Sequence, residues 1–178
     1  GGLATDWRWR MRLLSLDPSS TRTGYAIFRG SGHVLEAGYL GPARTKDLAL
    51  DRIVAMCGEL ERLVAGQVIH RIVLEIPSGK VHARRHLGGG AGLSVYGMAA
   101  GAILWAAVKA MGGIVSLVCC VKETEWTRGV PKGERQRRVA LAYPAYREAM
   151  GKDSPGDVAD AIGLGDWWYA KRTCRSGG

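Results

Sequence analysis

The sequence predicts an α/β fold in which a mixed five-stranded sheet is flanked by helices. Three short apolar segments separated by tight turns open the chain, a pattern typical of antiparallel strands joined by hairpins. From about residue 45, segments with helical periodicity alternate with further apolar segments, which is typical of strands joined by crossover helices. The 178 residues suffice for a single domain with a substantial core, and no internal repeat or linker divides them.

The first three strands follow from local pattern. A strand is predicted over residues 11–17, where the apolar run Leu-Leu-Ser-Leu ends in an acid. A Pro-Ser-Ser-Thr turn leads to a second strand over 23–29, and the turn Gly-Ser-Gly at 30–32 is short enough for a hairpin into a third strand over 33–40. These three strands should form an antiparallel meander.

The rest of the chain should alternate helices and strands. The predicted elements are, in order, a helix over 45–65, a strand over 70–76, a helix over 93–109, a strand over 113–121, a helix from about 132 to 144, and a last helix from 154. Pro77 stops the fourth strand, and Ser154 with Pro155 is typical of a helix start. Strand–helix–strand units make parallel neighbours, so the sheet should be mixed.

Composition narrows the possible functions. The net charge of +9 and the pI near 9.7 favour a polyanionic partner such as nucleic acid, although a basic surface can also serve solubility alone. Four cysteines without C-x-x-C spacing suggest neither a zinc site nor a disulfide framework, which favours a reducing compartment. No apolar stretch reaches the roughly 20 residues of a membrane span, so no membrane partner is expected.

The domain is expected to run over residues 11–178. Residues 1–10 precede a methionine, Met11, that could be a natural start, and they hold no apolar core long enough for a signal peptide. They are either a native extension or a cloning remnant, and the fold prediction does not use them.

Four acidic residues lie at positions where an unpaired carboxylate would be energetically unfavourable. Asp17 ends the first strand, and Glu75 interrupts the apolar run of the fourth, where a charge must be paired or bound to a cation. Asp157 and Asp160 are three residues apart and project from one face of the last helix. If the first and fourth strands are neighbours, all four can converge. Such an all-oxygen cluster suits Mg²⁺ or Mn²⁺, and two such ions can activate water against a phosphodiester.

Structural roles are the alternatives for these acids. Asp17 could start an Asx turn at the Pro-Ser-Ser segment, and Glu75 could pair with Arg71 or another basic residue. Asp157 lies near the positive end of the last helix and could belong to a capping box. With a helix start at 154, Asp160 is expected to lie past the first turn, so a structural role is less favoured for it than for Asp157.

Several segments together resemble one family. The Leu-Asp-Pro-Ser at 16–19 followed by Thr-Gly-Tyr at 23–25 resembles the opening strand and hairpin of the RuvC Holliday junction resolvases, which have the ribonuclease-H-like fold. Leu-Glu at 74–75 is similar to their second acid, Gly-Met-Ala-Ala-Gly at 97–101 to the helix that follows, and Asp-Val-Ala-Asp-Ala at 157–161 to their closing helix. The resemblance covers about residues 11–169, in order.

This resemblance implies a Mg²⁺-dependent endonuclease, with Mn²⁺ able to substitute, that acts as a homodimer on four-way DNA junctions in recombination and repair. It implies that the metal ligands are Asp17, Glu75, Asp157 and Asp160, with Asp17 bridging two ions. A basic residue, Lys132 or Arg135, would touch the scissile phosphate. The helix over 93–109 would lie in or near the dimer interface, although Gly97 and Gly101 could equally serve tight packing on the sheet. No nucleotide cofactor is implied, and the cytoplasm of a bacterial or phage-infected cell is the expected location.

Basic residues cluster in two segments that follow strands leading toward the acids. They are Lys80, Arg84 and Arg85 in the first, and Lys132, Arg135, Arg137 and Arg138 in the second. Both clusters could bind backbone phosphate, which positions DNA without reading its sequence, or could be solvated surface. RuvC enzymes often carry an aromatic soon after the second acid, whereas here none appears before Tyr96. This departure from the family pattern favours a broader selectivity for branched DNA substrates, as in phage-borne relatives.

Three other functions fit parts of the pattern. A ribonuclease-H-like enzyme that cuts RNA in hybrids would use similar acids, and a non-cleaving protein could simply hold branched DNA. A pure binder gains nothing from negative charge facing phosphate, which disfavours it. The segment from Asp17 to Gly24 is faintly similar to the phosphate loop of sugar kinases and actin-like ATPases. That fold needs a duplicated domain, for which this chain is too short.

Overall fold

The computed structural model describes residues 11–42, 48–77, 90–151 and 156–174. Over these residues, five strands form one sheet in the order β3-β2-β1-β4-β5. The strands are β1 (Arg12–Pro18), β2 (Thr23–Arg29), β3 (Val34–Leu40), β4 (Arg71–Ile76) and β5 (Val118–Lys122). β1 pairs antiparallel with β2 and parallel with β4, while β2–β3 is antiparallel and β4–β5 is parallel. The predicted mixed sheet with an antiparallel opening meander is confirmed.

Helices flank this sheet. They are α1 (Ala49–Ala65), α2 (Gly90–Ala110), α3 (Glu123–Thr127), α4 (Lys132–Ala142), α5 (Arg147–Met150) and α6 (Asp157–Cys174). The two shortest, α3 and α5, were not predicted, because four or five residues are too few to show a helical period. Ser154 and Pro155, the predicted start of the last helix, lie outside the described residues. None of the helices in the described ranges combines the length and apolar character that crossing a bilayer requires.

The fifth strand is shorter than predicted. Residues Val115–Leu117 form a 3-10 turn, and pairing with β4 begins at Val118, opposite Ile72. Gly112 and Gly113 precede this turn with positive φ angles of 69° and 78°, a conformation that glycine adopts without steric cost. β4 itself begins at Arg71, one residue before Ile72, so residues before Leu117 have no neighbouring strand to pair with. The sequence pattern could not show where the partner begins.

Apolar side chains alternate between the two faces of the sheet, as a strand requires. On one face, Leu14 and Leu16 of β1 are fully buried under α1 and α2. On the other, Leu13 and Phe28 are fully buried under the helices that follow β5, chiefly α6. The core is therefore two apolar layers around a central sheet.

Helix α6 lies unusually close to β1 and β2. A side chain at Gly24 would collide with the backbone carbonyl of Asp157 in the first turn of α6. The Ser15 hydroxyl donates a 2.6 Å hydrogen bond to the carbonyl of Ala161, which satisfies a buried polar group on each element. The Tyr169 hydroxyl donates to the carbonyl of Met11 at 3.0 Å. These contacts fix the position of α6 over the ends of the central strands.

Candidate active site

The four acids singled out from the sequence lie around one cleft of about 230 Å³. Asp17 and Glu75 come from adjacent parallel strands in which Leu16 pairs with Leu74, so the next residues project at the same edge. Helix α6 contributes Asp157 and Asp160. Asp17, Glu75 and Asp160 are only 6%, 8% and 3% exposed. The structure therefore gathers buried negative charge at the carboxyl ends of β1 and β4.

Asp17 is the least compensated of these acids. Its carboxylate forms no hydrogen bond or ion pair with any other residue that the structure describes, so it makes no Asx turn. The Ser19 hydroxyl organises that turn, donating 2.5 Å to the carbonyl of Arg22. Burial raises the pKa of Asp17 well above its ordinary value, and the charges of Glu75 and Asp160 raise it further. A buried carboxylate with no protein partner is a strong candidate to bind a cation.

Among the described residues, Glu75 has one hydrogen-bond partner, and it is not Arg71. The indole Nε1 of Trp126 donates a 2.6 Å hydrogen bond to Glu75 Oε2, while Arg71 donates to the carbonyl of Ser116 at 2.6 Å. Burial raises the pKa of Glu75 to about 7, although the hydrogen bond from Trp126 opposes the rise. The carboxyl group is thus held in place and remains reluctant to ionise without a cation.

The two acids of α6 face two cations of α4. Lys132 Nζ lies 3.1 Å from Asp160 Oδ2 and 3.6 Å from Asp157 Oδ1, and Arg135 lies 3.4 Å from Asp160 Oδ1. Burial lowers the pKa of Lys132, but the charge of Asp160 and the other acids raises it more. Burial raises the pKa of Asp157, and Lys132 opposes the rise. Asp157 thus faces the cleft as well as standing at the start of α6.

The donor set matches a hard divalent cation in chemistry. Carboxylate oxygens are the ligands that Mg²⁺ and Mn²⁺ prefer, and burial of uncompensated charge is relieved by such an ion. As the side chains stand, no three His, Cys, Asp or Glu groups within the described ranges are placed to hold one ion together. The ammonium of Lys132 instead lies against two of the acids. Side-chain rotation around the cleft would be needed for the acids to share an ion.

The predicted DNA-binding residues divide into three sets. Lys132 and Arg135 line the cleft. Arg137 and Arg138 are 72% and 65% exposed in their side chains, and both pair with Glu134. Lys80, Arg84 and Arg85 lie outside the described residues. One carboxylate serves two guanidinium groups on the outer part of α4, so that surface keeps a net positive charge.

Further residues belong to the site although the sequence did not single them out for it. Ser19, Tyr96 and Glu123 line the cleft, and Trp126 contacts Glu75 behind it. Tyr96 lies on α2 and is the first aromatic residue after Glu75 in the sequence. The fold places it at the cleft, beside the acids. Burial and the charges of Glu75 and Asp17 raise its pKa. The sequence could have identified Tyr96 as the first aromatic residue after Glu75, on the helix that follows it. No sequence feature indicated that Trp126 belongs to the site.

A mixed sheet in this strand order, with helices on both faces, defines the ribonuclease-H-like class of fold. Within that class, the chain is similar to RuvC of Thermus thermophilus. A structure of that RuvC in complex with a Holliday junction substrate matches with a TM-score of 0.63 at 16% identity, covering 93% of this chain and 97% of that one. A second Thermus thermophilus RuvC structure gives 0.60 at 18% identity, covering 92% and 97%. No protein-family model and no curated protein sequence matches the chain.

At these identities the likeness is one of fold. It confirms the predicted ribonuclease-H-like fold and the resemblance to RuvC that four short motifs had indicated. The activity has to be argued from the site.

Proposed function

We propose that this protein is a divalent-cation-dependent endonuclease that cuts branched DNA, with the four-way junction as its main substrate. The observation that carries the proposal is the cluster of buried acids, above all Asp17, which has no partner among the described residues. A fold does not gain stability from burying an unpaired carboxylate. The cost is understandable if the acids bind a cation that the reaction requires.

The residues that would hold magnesium, or manganese in its place, are Asp17, Glu75, Asp157 and Asp160. Bound there, such ions would supply water activation and charge stabilisation at the leaving oxygen of a phosphodiester. The chain's own contribution is to keep these acids close together around one cleft and, for Asp17, Glu75 and Asp160, largely shielded from solvent. Asp17 is the member most dependent on a cation, because none of the described residues forms an ion pair or a hydrogen bond with its carboxylate.

Lys132 is the better candidate than Arg135 for contact with the scissile phosphate. The Lys132 side chain is 49% exposed at the cleft, whereas that of Arg135 is 12% exposed. Arg135 also donates to the carbonyl of Val130 at 3.0 Å and stacks on Trp126. We infer that Arg135 holds Asp160 in place while Lys132 reaches a phosphate oxygen that enters the cleft.

Branched DNA is proposed as the substrate class on two grounds. The net charge of +9 favours a polyanion, and the exposed Arg137 and Arg138, on the helix that also carries Lys132, offer contacts to backbone phosphate. The similar fold of Thermus thermophilus RuvC is one that engages a Holliday junction substrate. A non-cleaving binder is disfavoured because four acids face the same cleft that phosphate would enter.

We also propose a homodimer formed through α2. Met98 and Trp105 on this helix are 55% and 71% exposed. A methyl group added at Gly97 or Gly101 would meet no atom within 4 Å, so these glycines do not serve packing on the sheet. A second copy related by a two-fold axis would cover this apolar face and present two cutting sites to a symmetric junction.

The test compares cutting and binding on matched substrates. Labelled four-way junction, linear duplex of the same sequence and RNA/DNA hybrid are incubated with Mg²⁺ or with EDTA. The wild type should cut the junction only with Mg²⁺, and Asp17→Asn should lose cutting by orders of magnitude while binding persists in EDTA. Preferential cutting of the hybrid would instead identify a ribonuclease.

Asp166→Asn is the matched control. Like Asp17→Asn, it replaces an aspartate by asparagine. Asp166, however, lies on α6, accepts a 2.7 Å hydrogen bond from Tyr143 and does not line the cleft. It should keep junction cutting. Near-normal cutting by Asp17→Asn, with both variants folded, would overturn the proposed function.

A further inference from the structure

The indole of Trp126 connects the strand-borne and helix-borne acids. Its Nε1 donates to Glu75 Oε2 at 2.6 Å, and the guanidinium carbon of Arg135 lies 4.9 Å from the centre of its rings. Arg135 in turn contacts Asp160 Oδ1 at 3.4 Å. Trp126 is 7% exposed. One buried side chain therefore touches Glu75 directly and Asp160 through a stacked cation.

Local structure fixes this indole firmly. Helix α3 begins immediately after β5, whose Val121 is the sheet partner of Glu75. The backbone N–H of Lys122 donates to Glu125 Oε1 at 3.3 Å, which secures the first turn of α3. The ring also lies against Gly163 of α6, with Cζ3 only 3.1 Å from the position that a side-chain carbon would take there. A larger residue at this position would press on the ring.

We propose that Trp126 is a positioning residue for the cation site, holding one oxygen of Glu75 and keeping Arg135 against Asp160. Oε1 of Glu75 accepts no hydrogen bond from any residue in the described ranges, so that oxygen stays available to the cleft. Two like-charged groups that repel one another need such fixed partners to stay in place before an ion arrives. Partners of metal-binding carboxylates commonly have this role.

This inference rests on the proposed function, because it assumes that the acids bind a divalent cation. Its test is a Mn²⁺ titration of the full chain by calorimetry without DNA, on the wild type, Trp126→Phe and Trp168→Phe. Phe keeps an aromatic ring in each place and removes the indole N–H. Trp168 is buried in the same apolar layer at 4% exposure and does not line the cleft, so it controls for core packing.

Trp126→Phe should weaken Mn²⁺ binding roughly 10-fold or more, the usual effect of removing such a partner, while Trp168→Phe should leave it unchanged. Adding Trp126→Phe to Glu75→Gln should cause less further loss than Trp126→Phe alone, because the part of its effect that acts through the Glu75 carboxylate is already gone. An unchanged affinity for Trp126→Phe, or equal losses in both tryptophan variants, would overturn the inference alone. A wild type that binds no Mn²⁺ would overturn the proposed metal site, and this inference with it.

Discussion

Replacing Glu75 by Gln should make the metal-free protein more stable at neutral to basic pH. The amide keeps the shape of the side chain, and its oxygen can still accept the hydrogen bond from Trp126 Nε1. What disappears is a buried negative charge beside Asp17 and Asp160. The substitution therefore separates the stability cost of the acid from its chemical use.

The magnitude follows from the pKa of Glu75. Its rise from 4.5 to about 7, caused mainly by burial, corresponds to about 3 kcal/mol of destabilisation when the group is ionised. Below pH 4.5 the group is protonated in both the folded and the unfolded chain, and nothing is lost. As the pH rises from 4.5 to 7, the unfolded chain gives up its proton first, so the folded state loses stability, and above 7 the loss is complete.

The assay is thermal unfolding in EDTA at about pH 5 and about pH 8. Glu75→Gln should raise the Tm at the higher pH by roughly 6–12 °C for a domain of this size, and by much less at the lower pH. Adding Mg²⁺ should then stabilise the wild type more than the variant, since the ion replaces the missing compensation. Glu148→Gln, at an exposed acid of α5, should do neither. A gain of equal size at both pH values would refute the reasoning.

The remaining predictions concern the closing helix, the dimer and the basic surface. Gly24→Ala should destabilise the protein by about 1–3 kcal/mol in urea unfolding, because the added methyl group collides with the start of α6. Trp105→Glu should convert a dimer to a monomer in sedimentation at micromolar concentration. Replacing Arg137 and Arg138 by Ala should flatten the logarithmic salt dependence of junction binding by roughly 0.9 for each phosphate that an arginine had neutralised.

Each of these has a control and a contrary result. Gly58→Ala, at an exposed helical glycine with no atom within 4 Å of an added methyl group, should stabilise the chain slightly. Leu141→Glu, at a 69% exposed leucine of α4, should leave the oligomeric state alone. A monomeric wild type, both free and on DNA, would contradict the dimer. An unchanged salt dependence would mean that the two arginines belong to the solvent-exposed face of α4 and do not contact DNA phosphate.

The convergence of the acids was predictable because it depends on rules that act at short range or through the sheet. The apolar run before Asp17 and the one around Glu75 each identify a strand, and parallel neighbours bring their ends to one edge. The spacing of Asp157 and Asp160 puts both on one helical face. Pattern, register and period are all readable from a single chain.

The partners of those acids were not predictable in the same way. Trp126 sits on a five-residue helix that shows no periodicity, and its contact with Glu75 arises from where β5 ends. The sequence left Lys132 and Arg135 equivalent, since both occupy one basic segment. Packing separates them, because stacking on Trp126 and the bond to Val130 bury one and leave the other half exposed.

The close docking of α6 also has a consequence for timing. Ser15 and Ala161, which hold the helix to the sheet, are 146 positions apart in the chain, and α6 follows every strand. During synthesis the first two acids therefore leave the ribosome well before the last two. Until α6 packs against Gly24, Asp17 and Glu75 lie at the uncovered ends of β1 and β4, without Asp157 and Asp160 beside them. The four acids therefore come together only after the whole domain has folded. A partly synthesised chain would contain Asp17 and Glu75 without the two acids of α6, and so could not form the proposed nuclease site.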